Sequence, residues 1–318
     1  MPIRDISVCI ITCNQERYIR HCLDSVLAQN RTRLLEILVA DDHSDDRTGD
    51  ILREYTERYP EWIRGIHNPR RLGASENLKR LWGMARGAYL AHLDGDDFWL
   101  PGKLELQADF MDRHPECSAI YTNARTVLPN DENQGLFNDA RAGMYDLAAL
   151  FRRGNFLNTS SMLLRRPLAQ PVIDTKKPFI DFHIHLLLAQ QGLLAQLDRV
   201  LVGYRVHAEG AMTRTSGDLV RELYWEAMLN VPPERLSRSD KAHGMADFLC
   251  RIFMTSRRMK RWELFRAWLP RIRRASPCSG LTTAALTLFA LIRRIMSEGW
   301  DRIRRRFGCK VEHVLFRR

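Results

Sequence analysis

The stretch "AHLDGDDFW", residues 91–99, sets three carboxylates, Asp94, Asp96 and Asp97, directly after an apolar run. Like charges this close raise one another's pKa unless water screens them or a cation sits among them. The preceding "AYLAHL" (88–93) reads as a strand buried on both faces. Working outward, "ISVCIIT" (6–12), "EILVA" (36–40) and "IRGIH" (63–67) read as further strands. Helical stripes lie between them. Ile19, Cys22, Leu23, Val26 and Leu27 fall at i, i+3, i+4, i+7 and i+8. Ile51, Leu52, Tyr55 and Tyr59 share one face of a helix starting near Asp45, and Leu78, Leu81, Trp82 and Ala85 form a third stripe. Gly87 is placed to end that third helix, and Pro101 suits the first turn of a fourth. This alternation predicts an α/β fold, Rossmann-like, with a mostly parallel sheet and flanking helices. Such sheets bind ligands at the carboxyl ends of their strands. Thr12 and Asn14, then Asp41 and Asp42, then the three acids all follow strand ends, so three polar sets are expected on one sheet edge.

No G-x-G-x-x-G follows the first strand, and in "DFWLPGK" Asp97 stands where a P-loop needs its first glycine. A diphosphate bound here therefore calls for a metal, and an all-oxygen ligand set selects Mg²⁺ or Mn²⁺. Blander readings compete for each group. The three acids alone also fit a solvated turn. Asp41, Asp42 and Asp181 also fit helix N-cap regions, with Ser44 or Asp45 as rival caps at the first site. His183 and His185, two apart on a helix, face different sides and read as structural.

Six blocks, in order, resemble the family 2 inverting glycosyltransferases, which carry a GT-A nucleotide-sugar domain. They are "VCIITCNQERYIRHCLDSVLAQ", "ILVADDHSDDRT", "NPRRLGASENLKRLWGMARGAYLAHLDGDDFW", "GNFLNTSSMLLRR", "PFIDFHIHLLLAQQG" and "LVGYRVH", covering roughly residues 5–210. The resemblance implies the following roles. Thr12 and Glu16 flank the nucleobase pocket, Asn14 is among the donor-binding residues, and Asp41 and Asp42 accept hydrogen bonds from base and ribose. Arg71 and Asn77 line the nucleotide side of the cleft. Asp94 touches ribose or sugar and, with Asp96, holds the Mn²⁺ or Mg²⁺ of the D-x-D motif, while Asp97 supports either. Asp181 is the general base, although Ile180 precedes it where the family carries glutamate. His207 completes the metal or diphosphate site, with Arg205 as a nearby countercharge. "RMKRW" (258–262) resembles the Q-x-x-R-W of processive synthases, but Arg258 stands where glutamine belongs, which argues for transfer of a single sugar.

The net charge of +11 is unevenly distributed. Residues 1–210 carry 26 basic and 28 acidic side chains, and residues 211–318 carry 23 and 10. A basic C-terminal third points to an anionic partner surface. "GLTTAALTLFALI" (280–292) is uncharged but shorter than the ~20 residues that span a bilayer. Apolar runs, tryptophans and arginine clusters predict helices lying on an anionic membrane surface, with a bundle packed on the catalytic domain as the alternative. Nucleic acid is not an expected partner, since no groove-reading motif or stacking platform is present. Seven scattered cysteines without a C-x-x-C pair, and no signal peptide, suit a cytoplasmic protein, peripheral on the inner face of the plasma membrane.

The expectation is two units, a GT-A domain over 1–210 and a helical basic region over 211–318. The expected activity is metal-dependent, inverting, hexosyltransferase-type transfer from a nucleotide-diphosphate sugar, UDP-linked by preference. The acceptor is a hydroxyl of a surface glycan or its lipid carrier. The rivals are a nucleotidyltransferase on the same fold and a non-catalytic membrane adaptor with a relic nucleotide pocket.

Overall fold

The computed structural model describes residues 5–206, 217–306 and 313–316. The first half alternates β1 (Ile6–Thr12), α1 (Ile19–Leu27), β2 (Leu34–Asp41), α2 (Thr48–Arg58), β3 (Ile63–His67), α3 (Ala74–Met84) and β4 (Tyr89–Asp94). β1 runs parallel to β2 and β4, and β2 runs parallel to β3. The period-two alternation of each strand divides the core. Cys9, Leu38, Ala40 and Leu90 face Leu78, Leu81 and Trp82 of α3. Val8, Ile10, Ile37, Val39 and Leu93 face the stripes of α1 and α2. Both sheet faces are covered, which is why these strands read as continuous apolar runs rather than alternating ones.

β5 (Phe98–Trp99), α4 (Lys103–Arg113), β6 (Cys117–Val127), β7 (Asn133–Asn138), β8 (Gly143–Tyr145), α5 (Leu147–Arg153), β9 (Leu163–Arg165), α6 (Gln170–Ile173), α7 (Asp181–Ala189) and β10 (Leu193–Arg205) follow. The main sheet order is β7-β6-β9-β4-β1-β2-β3. β9 enters antiparallel between β4 and β6. β10 runs parallel to β6 with register shifts between Leu197 and Val202, and its last residues pair antiparallel with β5. That bend brings Arg205 to the turn after β4.

Two local expectations need correction. α3 ends at Met84, three residues before Gly87. A Cβ on Gly87 would lie 2.6 Å from the Asp5 carbonyl oxygen and the Ser7 nitrogen, so its role is close approach of backbones, not helix capping. Pro101 precedes α4, and Gly102, with φ 82°, makes the entry to that helix. Most of "GNFLNTSSMLLRR" is loop, with a 3₁₀ turn at Thr159–Ser161 and only Leu163–Arg165 in a strand. Ser160 bonds to the acids after β4, while the Ser161 hydroxyl accepts from Thr122 N–H.

The C-terminal third supplies α8 (Gly217–Leu229), α9 (Arg238–Met259), α10 (Trp262–Ala275), α11 (Gly280–Arg306) and a short β11 (Val314–Phe316) beside β7. Trp225, Phe248 and Trp268 pack on one another and share a hydrophobic cluster with Phe151 of α5 and Phe182 of α7. α8 to α10 are thus built onto the sheet layer. Pro270 lies inside α10 without ending it. The six described cysteines are free.

Candidate active site

The carboxyl ends of β1, β2 and β4 lie side by side, with Thr12 opposite Asp41 and Ile11 opposite Asp94. Beyond β1 the chain turns through Asn14, whose φ of 54° is tolerated by a short amide side chain. Asn14 N–H donates to Ser44 Oγ at 2.8 Å, and Asn14 Oδ1 accepts from Asp45 N–H at 2.8 Å. Glu16 is exposed, and its carboxylate accepts from Arg47 N–H at 3.0 Å at the start of α2. Asp41 accepts from the Ser44 hydroxyl and lies 3.4 Å from His67 Nδ1.

Asp42 holds a loop. It accepts from Asn68 Nδ2 at 2.9 Å and from the N–H groups of Leu72 and Gly73 at 2.8 and 2.9 Å. Asn77 is buried and donates to the Ala40 carbonyl at 3.0 Å, while its oxygen accepts from Asn68 at 2.8 Å. Arg71, on that loop, is half-exposed and pairs with Asp45. Thr12, Asn14, Glu16, Asp41 and Arg71 therefore ring one end of the sheet edge. Asp42 and Asn77 set the shape of its wall from behind.

The acidic turn follows β4. Gly95 N–H donates to the Ile11 carbonyl at 2.9 Å, and a Cβ on Gly95 would meet Thr12 Oγ1 at 2.9 Å. Only glycine lets the turn lie this close to β1. Ser160 binds the cluster from the facing loop. Its hydroxyl lies 2.5 Å from Asp97 Oδ2 and 3.3 Å from Asp94 Oδ2, and it accepts from Asp94 N–H at 3.2 Å. Asp97 is buried and also accepts from Arg205 N–H at 2.8 Å. Burial and the charges of Asp96 and Asp94 push its carboxyl well above the usual carboxylate range. Asp97 is thus a structural member of the turn, and Asp94 and Asp96 are the two partly exposed carboxylates.

The Arg205 guanidinium is buried over the turn. It donates to the Asp96 carbonyl, pairs with Asp131 at 2.5 Å and stacks over Tyr18 and Phe98 with centroid distances of 4.8 and 5.0 Å. His207 lies outside the described residues.

Asp181 opens α7. Its carboxylate accepts from Phe182 N–H at 2.8 Å, from Thr159 Oγ1 at 3.4 Å and from the Asn155 side chain. Burial raises its pKa above the ordinary value. The Asn155 and Phe182 bonds counter that rise, and the charge of Asp94 adds to it. Thr159, bonded to Asp181, and Ser160, bonded to Asp94 and Asp97, are consecutive residues of one 3₁₀ turn, so the base candidate and the acidic turn share one neighbourhood.

Sequence reasoning missed the second layer. His92, buried on β4, meets Asp94 Oδ1 through Nε2 at 3.2 Å. His185 Nδ1 lies 3.0 Å from Asn155 Oδ1, so a proton on Nδ1 orients that amide with its NH₂ toward Asp181. The available signal was a run of small polar residues, "NTSS", beside an apolar helix that carries two histidines.

His185 also gives a stability prediction. Burial, with His92 nearby, pushes its pKa down to about 3, against about 6.5 for a free histidine. The folded state refuses a proton that the unfolded chain takes up. This contribution is complete above about pH 6.5 and is lost as pH falls toward the folded value. Chemical unfolding at a series of pH values between 7.5 and 5 is expected to show a shallower pH dependence for His185→Leu than for wild type. Equal slopes would refute it.

A divalent cation fits the acidic turn in one particular way. No group of three or more metal-ligating side chains occurs among the described residues. Two carboxylates, Asp94 and Asp96, remain, and Mg²⁺ or Mn²⁺ commonly uses one or two carboxylates together with substrate phosphates.

The profile of Glycosyl transferase family 2 matches residues 7–170, and the chain belongs to that family. An uncharacterized protein of Mycobacterium tuberculosis is 34% identical over 244 residues, 76% of this chain and 66% of its own length. An uncharacterized glycosyltransferase of Nostoc sp. is 27% identical over 257 residues, 78% of this chain and 76% of its own length. Among solved structures, S. aureus TarS 1-349 in complex with UDP-GlcNAc superposes with a TM-score of 0.67 at 18% identity, covering 94% of this chain and 92% of that one. The fold is GT-A.

Proposed function

We propose that the chain transfers one sugar, with inversion, from a nucleotide-diphosphate donor to a hydroxyl of a glycan or lipid-linked acceptor, in the building of a surface polysaccharide. The observation that carries this is the single 3₁₀ turn that bonds to Asp181 through Thr159 and to the acidic turn at Asp94 and Asp97 through Ser160. UDP is the preferred nucleotide, in keeping with the ligand of TarS. The setting that suits the reaction is the cytoplasmic side of a membrane, where the basic C-terminal third meets anionic lipid.

Each residue then has a task. Thr12, Asn14, Asp41 and Arg71 bound the nucleotide end of the cleft. Asp94 and Asp96 would hold a divalent cation, which when bound neutralises charge on the departing diphosphate. Arg205 fixes the backbone of the acidic turn through the Asp96 carbonyl. Asp181 accepts the acceptor hydroxyl's proton as the new C–O bond forms, because a neutral alcohol is a poor nucleophile. Thr159, Asn155 and Phe182 N–H hold that carboxylate in place.

The test is UDP release from a panel of UDP-sugars with Mn²⁺ and with EDTA. Mn²⁺-dependent turnover of at least one donor supports the reading. Absence of turnover across the panel would favour a membrane adaptor with a relic pocket.

Asn155 supplies a sharper check. Asn155→Leu removes a bond that favours the charged form of Asp181, so the pKa of the base rises further. The acidic limb of the kcat profile is expected to move to higher pH, with activity recovering at alkaline pH. A uniform loss at every pH would show that Asn155 only shapes the loop.

A further inference from the structure

Helix α11 packs with its faces reversed relative to an ordinary bundle helix. The side turned to α9 is small and polar. Thr283 and Ala290 are buried there, Thr287 Oγ1 donates back to the Thr283 carbonyl at 2.7 Å, and Arg294 meets the buried Asp247 at 3.5 Å. The side turned outward is apolar. Leu281 is 87% exposed, Leu288 57%, Phe289 64% and Met296 69%, with Ile292 and Ile295 between them. At 3.6 residues per turn these six side chains fall within a sector of about 120°. A monomer rarely leaves so continuous an apolar strip in water.

Charge indicates the occupant. The Arg273 guanidinium packs against Gly280 at the start of the strip, 2.9 Å from where a Cβ would be. Arg293 is exposed about 100° from Ile292, at the border of the apolar sector, with its guanidinium 3.9 Å from Asp247. From Arg293 to Arg306 the sequence carries six arginines against Glu298 and Asp301. An open groove lined by Leu249, Leu269, Arg273, Leu281 and Ala284 extends the apolar strip toward α9 and α10. No helix among the described residues is long and apolar enough to cross a membrane. A second copy placed face to face would bring like charges together, whereas lipid phosphates would neutralise them.

We propose that the outward face of α11 lies flat on an anionic bilayer, its leucines, isoleucines and Phe289 entering the headgroup–acyl boundary and its arginines meeting lipid phosphates. The proposal rests on the membrane-side setting given above and names the surface that makes the attachment.

The experiment is co-sedimentation of the full chain with vesicles of phosphatidylcholine alone or with roughly one-third phosphatidylglycerol, a fraction that gives a strongly negative surface. Wild type is expected to sediment with the anionic vesicles, about tenfold more weakly with neutral ones, and less at high salt. Leu288→Glu with Phe289→Glu is expected to abolish sedimentation. Both positions face solvent, so UDP release in solution should persist, which separates failure of docking from failure of the transferase reading. Equal binding to both vesicle types, or none, would overturn the proposal. So would a wild-type dimer in solution that the double substitution converts to a monomer, since the face would then join copies of this chain.

Discussion

Asp181→Asn is expected to lower sugar transfer by about 10²- to 10⁴-fold while UDP affinity stays unchanged. The substitution is nearly isosteric. Asparagine keeps Oδ1 for the Phe182 N–H, and its amide nitrogen can donate to the Thr159 hydroxyl in place of the second oxygen, so the entry to α7 survives and the loss reports the missing base. The burial that raises the carboxyl's pKa also predicts an acidic limb in wild-type activity above the ordinary carboxylate range of about 4. Deprotonated Asp181 is the active form, so the rate rises as pH passes upward through that limb and falls below it. The measurement is kcat and KM for transfer, with UDP binding followed by calorimetry. Retention of wild-type kcat would remove Asp181 from the chemistry, and a parallel loss of UDP binding would make it a structural residue.

Asp96→Ala is expected to produce a loss of comparable size by another route. Asp97 is buried and bonded to Ser160 and the Arg205 backbone, which leaves Asp94 and Asp96 as the turn's accessible carboxylates. On the proposed reading, removing the Asp96 carboxylate weakens a cation that the diphosphate must otherwise help to hold. Transfer should fall by about 10²-fold or more, and added Mn²⁺ should restore part of it, because ion affinity is what the substitution removes. Asp97→Asn separates the two kinds of acid. It is expected to lower thermal stability while leaving the Mn²⁺ concentration for half-maximal activity close to wild type. A matching shift in that concentration would place Asp97 among the ligands.

The sequence disclosed those parts of the protein that obey local rules. Continuous apolar runs and period-3.6 stripes gave β1 to β4 and α1 to α3, because strands covered on both faces and helices covered on one leave an unmistakable apolar signature. The acids after β4 were legible for the same reason: a strand that ends in "LDGDD" delivers them to the sheet edge. What escaped were contacts between distant segments. Ser160 joins Asp94 and Asp97 across more than sixty residues, and the His185–Asn155–Asp181 chain links α7 to the loop after α5. A serine or a histidine has no periodicity that announces such a partner. Gly87 misleads because a glycine needed for close backbone approach looks, in sequence, like a glycine that ends a helix, and Pro101 misleads because Gly102, at φ 82°, makes the helix entry after it. The outward face of α11 was visible as an uncharged run, yet its direction depends on which side Thr283, Ala290 and Arg294 dock.

The claim on which the rest depends is that Asp94 and Asp96 share a divalent cation with a nucleotide diphosphate. Calorimetric titration of UDP into the wild-type chain, with Mn²⁺ and with EDTA, tests it most directly. Binding that is at least tenfold tighter with Mn²⁺, and that loses this gain in Asp96→Ala, is the expected result, a difference of about 1.4 kcal/mol or more. Equal UDP affinity with Mn²⁺ and with EDTA would contradict it.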